Sequence, residues 1–193
     1  MKETIRLILT LTIISCISGL ILSFVNGKTK DKIAQIKSEA KIEAIEKVLP
    51  KGYNNDPVKE TFTPTGSDSN MVFYVAKQDG KFVGAAFDTS TMSGFSGYVG
   101  IMVGVNADNE ISAIQILSQN ETPGLGANIT KDSFLNQFKN MVIPTDSTFK
   151  VKKDGGQVEQ ITGATISSRA VSEAISSGLK VFEANKKEMI TND

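Results

Sequence analysis

Residues 7–25 carry no charged side chain. Wound as a helix at about 1.5 Å per residue, that stretch spans roughly 28 Å, which matches the hydrocarbon thickness of a bilayer. It predicts an uncleaved transmembrane anchor over residues 1–27. Two other readings compete for the same residues. A cleaved signal peptide needs a small-x-small site, and Asn26-Gly27-Lys28 supplies a poor one. A lipoprotein signal would use Ile13-Ile14-Ser15-Cys16, but residues 17–25 stay apolar past the cysteine. Lys2 and Arg6 precede the span, and Lys28, Lys30, Lys32 and Lys37 follow it. On charge alone the bulk of the chain would stay in the cytoplasm.

The remainder must work without histidine. None of the 193 residues is His, which removes the usual acid/base partner and the commonest metal ligand. The single cysteine, Cys16, allows no intramolecular disulfide and no thiolate cluster. Formal net charge is zero, so nothing points to nucleic acid. Any redox chemistry therefore needs a borrowed group, and an organic cofactor is the natural one.

Residues 30–49 read as a helix that continues the span as a stalk. Ile33, Ile36, Ala40, Ala44, Ile45 and Val48 form its apolar stripe, and Pro50 and Gly52 end it. Residues 53–70 are rich in Pro, Gly, Ser, Thr and Asp and read as loop, so residues 28–70 make a helical stalk and loop. Residues 71–76 and 82–87 form a hairpin across Asp79-Gly80, and 98–105 and 111–117 form a second across Asp108-Asn109. The Ser/Thr/Gly-rich stretch 89–97 between them reads as loop. A short helix is expected over 131–138, and short strands over 149–151 and 157–161. Ala170, Val171, Ala174, Ile175, Leu179 and Phe182 lie on one face of a final helix ending near Lys186. The fold class is α+β: an N-terminal transmembrane helix, then a small domain over residues 71–187 of antiparallel β-hairpins packed with helices.

Two stretches carry chemistry. Residues 160–170 read Q-I-T-G-A-T-I-S-S-R-A, with Gly163 and Ala164 between two threonines. Thr165 falls just before or within the first turn of the final helix. Unpaired N–H groups and the positive pole of the dipole there favour a phosphate. The small residues leave Thr165 open to the outside. The plainer alternative is that Thr165 caps the helix. Residues 121–126 read E-T-P-G-L-G. Pro123-Gly124 set a tight turn and Gly126 frees the backbone again. Leu125 is left as an apolar side chain on a polar loop, which suits the face of a planar ring. The plainer alternative is a surface turn.

Thr162-Gly163-Ala164-Thr165 resembles the [S/T]-G-A-T motif of the FMN-binding domain family found in Rnf-type and Na⁺-translocating NADH:quinone reductase redox pumps. Residues 121–126 match that family's E-T-P-G-L-G signature at every position, and Gly97-Tyr98-Val99-Gly100-Ile101 resembles the stretch that opens the same strand. The resemblance covers about residues 72–184. It implies that an ApbE-type flavin transferase joins FMN covalently to Thr165 through a phosphoester. It also implies that Thr162, Gly163, Ala164, Glu121, Thr122, Leu125 and Gly126 surround the cofactor. The implied role is an electron-transfer subunit of a membrane complex, with other subunits and the lipid bilayer as partners. The shorter chain and the T-G-A-T-I-S-S form favour the G subunit of an Rnf-type ferredoxin:NAD⁺ oxidoreductase over the C subunit of a Na⁺-translocating NADH:quinone reductase. The resemblance places the bulk of the chain on the extracytoplasmic side of the cell membrane, against the charge count, and we follow it. A cofactor-free, membrane-anchored assembly module is the reading of a different class. The chain departs from the family at Glu159, where Asp is common, and near Gln119, where many relatives carry histidine.

Overall fold

A computed structural model describes residues 1–64, 71–146 and 148–191. Helix α1 (Lys2–Val48) holds the uncharged run and the stalk in one uninterrupted element. It is long and apolar enough to cross a membrane, and Leu9, Ile13 and Leu22 on it are exposed. The chain divides into two compact units, Met1–Lys41 and Ile42–Asp193.

The second unit is organised on a six-stranded antiparallel sheet whose spatial order follows the chain: β1 (Thr61–Phe62), β2 (Phe73–Gln78), β3 (Lys81–Gly94), β4 (Gly97–Asn106), β5 (Glu110–Gln119) and β6 (Met141–Val142). Because side chains alternate across a strand, each strand has a face for each layer. One face carries Phe73, Ala85, Phe87, Ile101 and Val103, and it packs on helix α3 (Thr165–Thr191) through Val171, Ile175, Leu179 and Phe182. The other face carries Ala76, Ala86 and Met102. These side chains let Ala44, Ile45, Val48 and Leu49 at the end of α1 come close. Ser112 Oγ donates to the Val48 carbonyl at 2.6 Å, satisfying one of the acceptors a helix leaves open at its C-terminus.

Both predicted hairpins form, with turns at Asp79-Gly80 and at residues 107–109. Residues 89–94 are strand rather than loop: Thr89, Ser90 and Thr91 pair with Ile101, Gly100 and Val99. Composition misled here. Threonine is a good strand residue, and the Thr89 hydroxyl, although buried, donates to the Ala174 carbonyl at 3.0 Å. The strands expected at 149–151 and 157–161 reduce to one parallel bridge, Val151↔Val158. A 3₁₀ turn, Lys152–Asp154, occupies the few residues between them and leaves no room for a ladder. The short helix appears as α2 (Asp132–Leu135), continued by a 3₁₀ turn at Asn136–Phe138. Helix α3 runs past Lys186 because Met189 still has a buried place. The edge strands β1 and β6 are too short to show alternation in sequence. β1 lies inside the stretch read as loop, of which residues 65–70 fall outside the described residues.

Candidate functional site

Three chain segments converge at the end of the sheet where β3 turns into β4 and β5 ends. They are the β3–β4 turn at Phe95-Ser96, the loop 121–126 leaving β5, and the start of α3. Together with Lys153 they enclose a cavity of about 410 Å³. Glu121, Thr122, Leu125, Gly126, Gly163, Ala164 and Thr165 all line it. Thr162 does not; it is exposed on the approach to the helix.

The start of α3 is built so that Thr165 is spared capping duty. Gly163 takes φ +77°, a left-handed conformation that suits glycine, and turns the chain into the helix. The Ala164 carbonyl accepts the first helical bond, from Ser168 N at 3.1 Å, so Ala164 occupies the cap position. Ser168 Oγ reaches back, donating to the Ala164 carbonyl at 3.1 Å and accepting Ile161 N–H at 3.0 Å. Thr165 is thus the first helical residue and half-buried, and among the described residues its hydroxyl has no hydrogen-bond partner. Helix geometry also leaves the first-turn amides without acceptors inside the helix.

Glu121 organises the opposite wall. It is buried at 4% exposure, and both its oxygens are engaged. Oε1 accepts Ser96 N–H at 3.0 Å, and Oε2 accepts the Ser167 hydroxyl. Its own N–H donates to Gln119 Oε1, so Gln119 fixes the entry to the loop. The carboxylate ties the β3–β4 turn, the 121–126 loop and α3 together. A Cβ on Gly126 would press on both the Glu121 carboxylate and Ser167 Oγ, so the loop requires glycine there. Thr122 and Leu125 carbonyls accept Ala127 and Asn128 N–H, and the Asn128 amide donates to the Gly124 carbonyl at 2.9 Å, which holds the turn rigid.

The sequence reading missed Phe95, Lys153, Ile166 and Ser167 as cavity residues. Phe95 and Ile166 are 68% and 47% exposed, and Leu125 is 48% exposed, so the rim is apolar. Phe95 was legible as the one aromatic inside a Ser/Thr/Gly run. Lys153 gave no signal, because nothing in K-K-D-G-G separates it from Lys152. The neighbouring charges are paired off. Arg169 donates through Nε and Nη2 to both Asp154 oxygens at 2.7 and 3.0 Å, and Lys152 meets Glu159 at 2.9 Å. The Arg169 hydrogen bond is the main reason the Asp154 carboxyl sits below its ordinary range.

These residues fit a flavin mononucleotide. Exposed apolar side chains around a slot suit an isoalloxazine ring, and a helix start with a nearby lysine suits a phosphate. An FMN-binding domain family matches residues 94–180, which include every residue of the cavity. The class is that of FMN-binding domains. The particular relatives are G subunits. The G subunit of the ion-translocating oxidoreductase complex of Pseudomonas aeruginosa is 32% identical over 199 residues, covering 98% of this chain and 93% of that one. The Aliivibrio fischeri G subunit is 35% identical over 175 residues (84% and 82%). The Methanosarcina acetivorans G subunit is 31% identical over 189 residues (96% and 97%). The chain belongs to this family, the G subunits of ion-translocating oxidoreductase complexes. Its fold is shared with two solved structures. One is the C subunit of Na⁺-translocating NADH-quinone reductase from Parabacteroides distasonis (TM-score 0.52, 24% identity, 76% and 80% covered). The other is NqrC from Shewanella oneidensis (TM-score 0.53, 21% identity, 72% and 71% covered).

Proposed function

We propose that this chain is a membrane-anchored electron-carrying subunit that bears FMN covalently on Thr165, within an Rnf-type ferredoxin:NAD⁺ oxidoreductase that couples electron flow to ion transport. The observation that carries the reading is the unpartnered Thr165 hydroxyl at the lip of an apolar-rimmed cavity, on the first turn of a helix. When bound, FMN accepts one or two electrons and can bridge one-electron carriers and two-electron partners. The residues supply position. The N-terminus of α3 and Lys153 would hold the esterified phosphate, and Phe95, Leu125 and Ile166 would shield the ring from water. Thr122, Gly126, Gly163 and Ala164 keep the walls close, Glu121 locks them together, and Thr162 lies exposed outside the cavity, where an ApbE-type transferase could reach it. Residues 1–27 anchor the chain, 28–70 link, and 71–187 hold the cofactor.

The test is intact and peptide mass analysis of protein co-produced with such a transferase. Wild type should gain FMN minus water on the peptide containing Thr165, and Thr165→Ala should gain nothing. Flavin on another residue, or a colourless wild type, would overturn the assignment; the second result favours the cofactor-free assembly module. Sidedness follows from where the transferase works, and we place the second unit outside the cytoplasmic membrane. In a Cys16→Ser background, Lys59→Cys should react with an impermeant maleimide in intact cells. Reaction only after lysis would put the unit in the cytoplasm.

A further inference from the structure

Glu121 is the one carboxylate among the described residues that lines the cavity, and it is buried at 4% exposure. A buried carboxylate is costly unless its partners stabilise the charge. Here the partners are neutral. Oε1 has a backbone N–H from Ser96 and Oε2 a neutral hydroxyl from Ser167; among the described residues no cation pairs with it. The charged groups on each surrounding element are few. The β3–β4 turn offers none between Thr89 and Ile101. The start of α3 offers Arg169, already held by Asp154. The 3₁₀ turn Lys152–Asp154 offers Lys153, exposed at the cavity wall, while Lys152 is paired with Glu159. Gln119 and the 3₁₀ turn Gly126–Thr130 offer no charge.

Such a site can accept a proton without moving a heavy atom. Oε1 keeps the Ser96 N–H. Oε2 takes the proton and donates to Ser167 Oγ, whose hydroxyl simply rotates away. A second negative charge entering the same cavity makes that exchange favourable, because like charges in a poorly solvated site raise each other's proton affinity.

We infer that Glu121 takes up a proton when the flavin receives an electron, so that it compensates charge as well as bracing the walls. The inference rests on the FMN reading above. The balance is simple. One electron arrives from a reduced one-electron carrier, and one proton from solvent converts the Glu121 carboxylate to the carboxylic acid. Oxidation releases both, and no bond between Glu121 and the flavin forms or breaks.

The experiment uses the full-length, flavin-loaded protein. Its flavin midpoint potential is measured against pH, and its reduced-minus-oxidised infrared difference spectrum is recorded in H₂O and D₂O. Wild type should show a protonated-carboxyl C=O band that appears on reduction and shifts in D₂O. Glu121→Gln should lose that band and flatten the potential's pH dependence by about one proton per electron. Ser167→Ala keeps the carboxyl but removes its hydroxyl partner, so the band should persist at a shifted position; this variant decides the matter if Glu121→Gln fails to fold. A flavin-loaded wild type with no such band, or with an unchanged pH slope in Glu121→Gln, overturns the inference and leaves the function intact. A wild type that never acquires flavin overturns both.

Discussion

In the C-terminal half of α3 the buried side chains are Leu179, Phe182 and Met189, while in the N-terminal half Ser167, Ser168, Ser172 and Ser176 are buried beside Val171 and Ile175. The same helical spacing serves both halves. Phe182 sits among rings, its centroid 6.1 Å from Phe73 and 6.2 Å from Phe87. The serines instead form a ladder. Ser168 donates to the Ala164 carbonyl, Ser172 to the Ser168 carbonyl and Ser176 to the Ser172 carbonyl, while Ser176 also accepts Phe149 N–H at 2.7 Å. Back-bonding hydroxyls of this kind add little stability to a helix. Each satisfies its own donor on a backbone carbonyl one turn back, whereas the Thr165 hydroxyl at the cavity has no partner among the described residues. Both halves pack apolar side chains on the sheet; the C-terminal half does so with the larger ones, and the N-terminal half adds a row of buried hydroxyls that ends at the cavity.

The comparison predicts that stability and flavin attachment respond to different residues. The largest stability loss should come from the apolar half. Phe182→Ala should cost about 3–5 kcal/mol, read from denaturant or thermal unfolding in detergent, while the fraction that stays folded still accepts FMN. If that folded fraction lost attachment, the two halves would not be separable. Next comes the cavity wall. Gly126→Val should cost about 1–3 kcal/mol through overpacking against Glu121 and Ser167, and it should also perturb the flavin spectrum. Gly124→Val is the control. Its φ of +78° is strained for valine, yet a Cβ there meets nothing within 4 Å, so the spectrum should change less.

Within the polar half, the bonded and unbonded hydroxyls should part company. Ser168→Ala gives up bonds to Ile161 N–H and the Ala164 carbonyl, and the better helix propensity of alanine offsets part of the loss, for a net of about 1 kcal/mol. Thr165→Ala breaks no such bond and should change stability by less than about 0.5 kcal/mol while abolishing attachment. A Thr165→Ala variant as destabilised as Ser168→Ala would show that Thr165 had a structural role after all.

The legible parts were those with a periodic or turn signal. The apolar run, the alternating strands around Asp79-Gly80 and the apolar stripe of α3 each announced their elements. So did the glycines of 121–126 and 162–165, and seven of the eight residues they nominated meet at one cavity. What could not be read depended on tertiary partners. Thr89 belongs to a strand because the Ala174 carbonyl waits for its hydroxyl, eighty-five residues away. Whether Thr165 or its neighbour takes the cap depends on Ser168 reaching back to Ile161. Lys153 and Phe95 reach the cavity only because the chain folds the 3₁₀ turn and the hairpin tip onto α3.

The smallest effect expected is electrostatic, at the polar half's flank. Asp154 and Arg169 join the 3₁₀ turn carrying Lys153 to the first turns of α3 by a bidentate pair whose side chains are 35% and 39% exposed. The Arg169 hydrogen bond holds the Asp154 carboxyl below its ordinary range, with the guanidinium charge adding to the effect against partial desolvation. A carboxyl depressed in the folded state contributes stability that is fully present above the unfolded-state value of about 3.9 and is lost as pH falls through the lower folded value. Asp154→Asn should therefore flatten the acid limb of stability below about pH 4, and leave the curve unchanged in shape near neutrality. Arg169→Gln should do the same by returning Asp154 to its ordinary range. Both effects should shrink with added salt, because the pair is open to solvent. Denaturant midpoints measured from neutral pH down to about pH 3, at low and high salt, read this directly. An acid limb unaltered in both variants would mean that the pair braces nothing, and that the segment carrying the Lys152–Asp154 turn is held against α3 by the Phe149 N–H bond to Ser176 Oγ and the burial of Val151 and Val158.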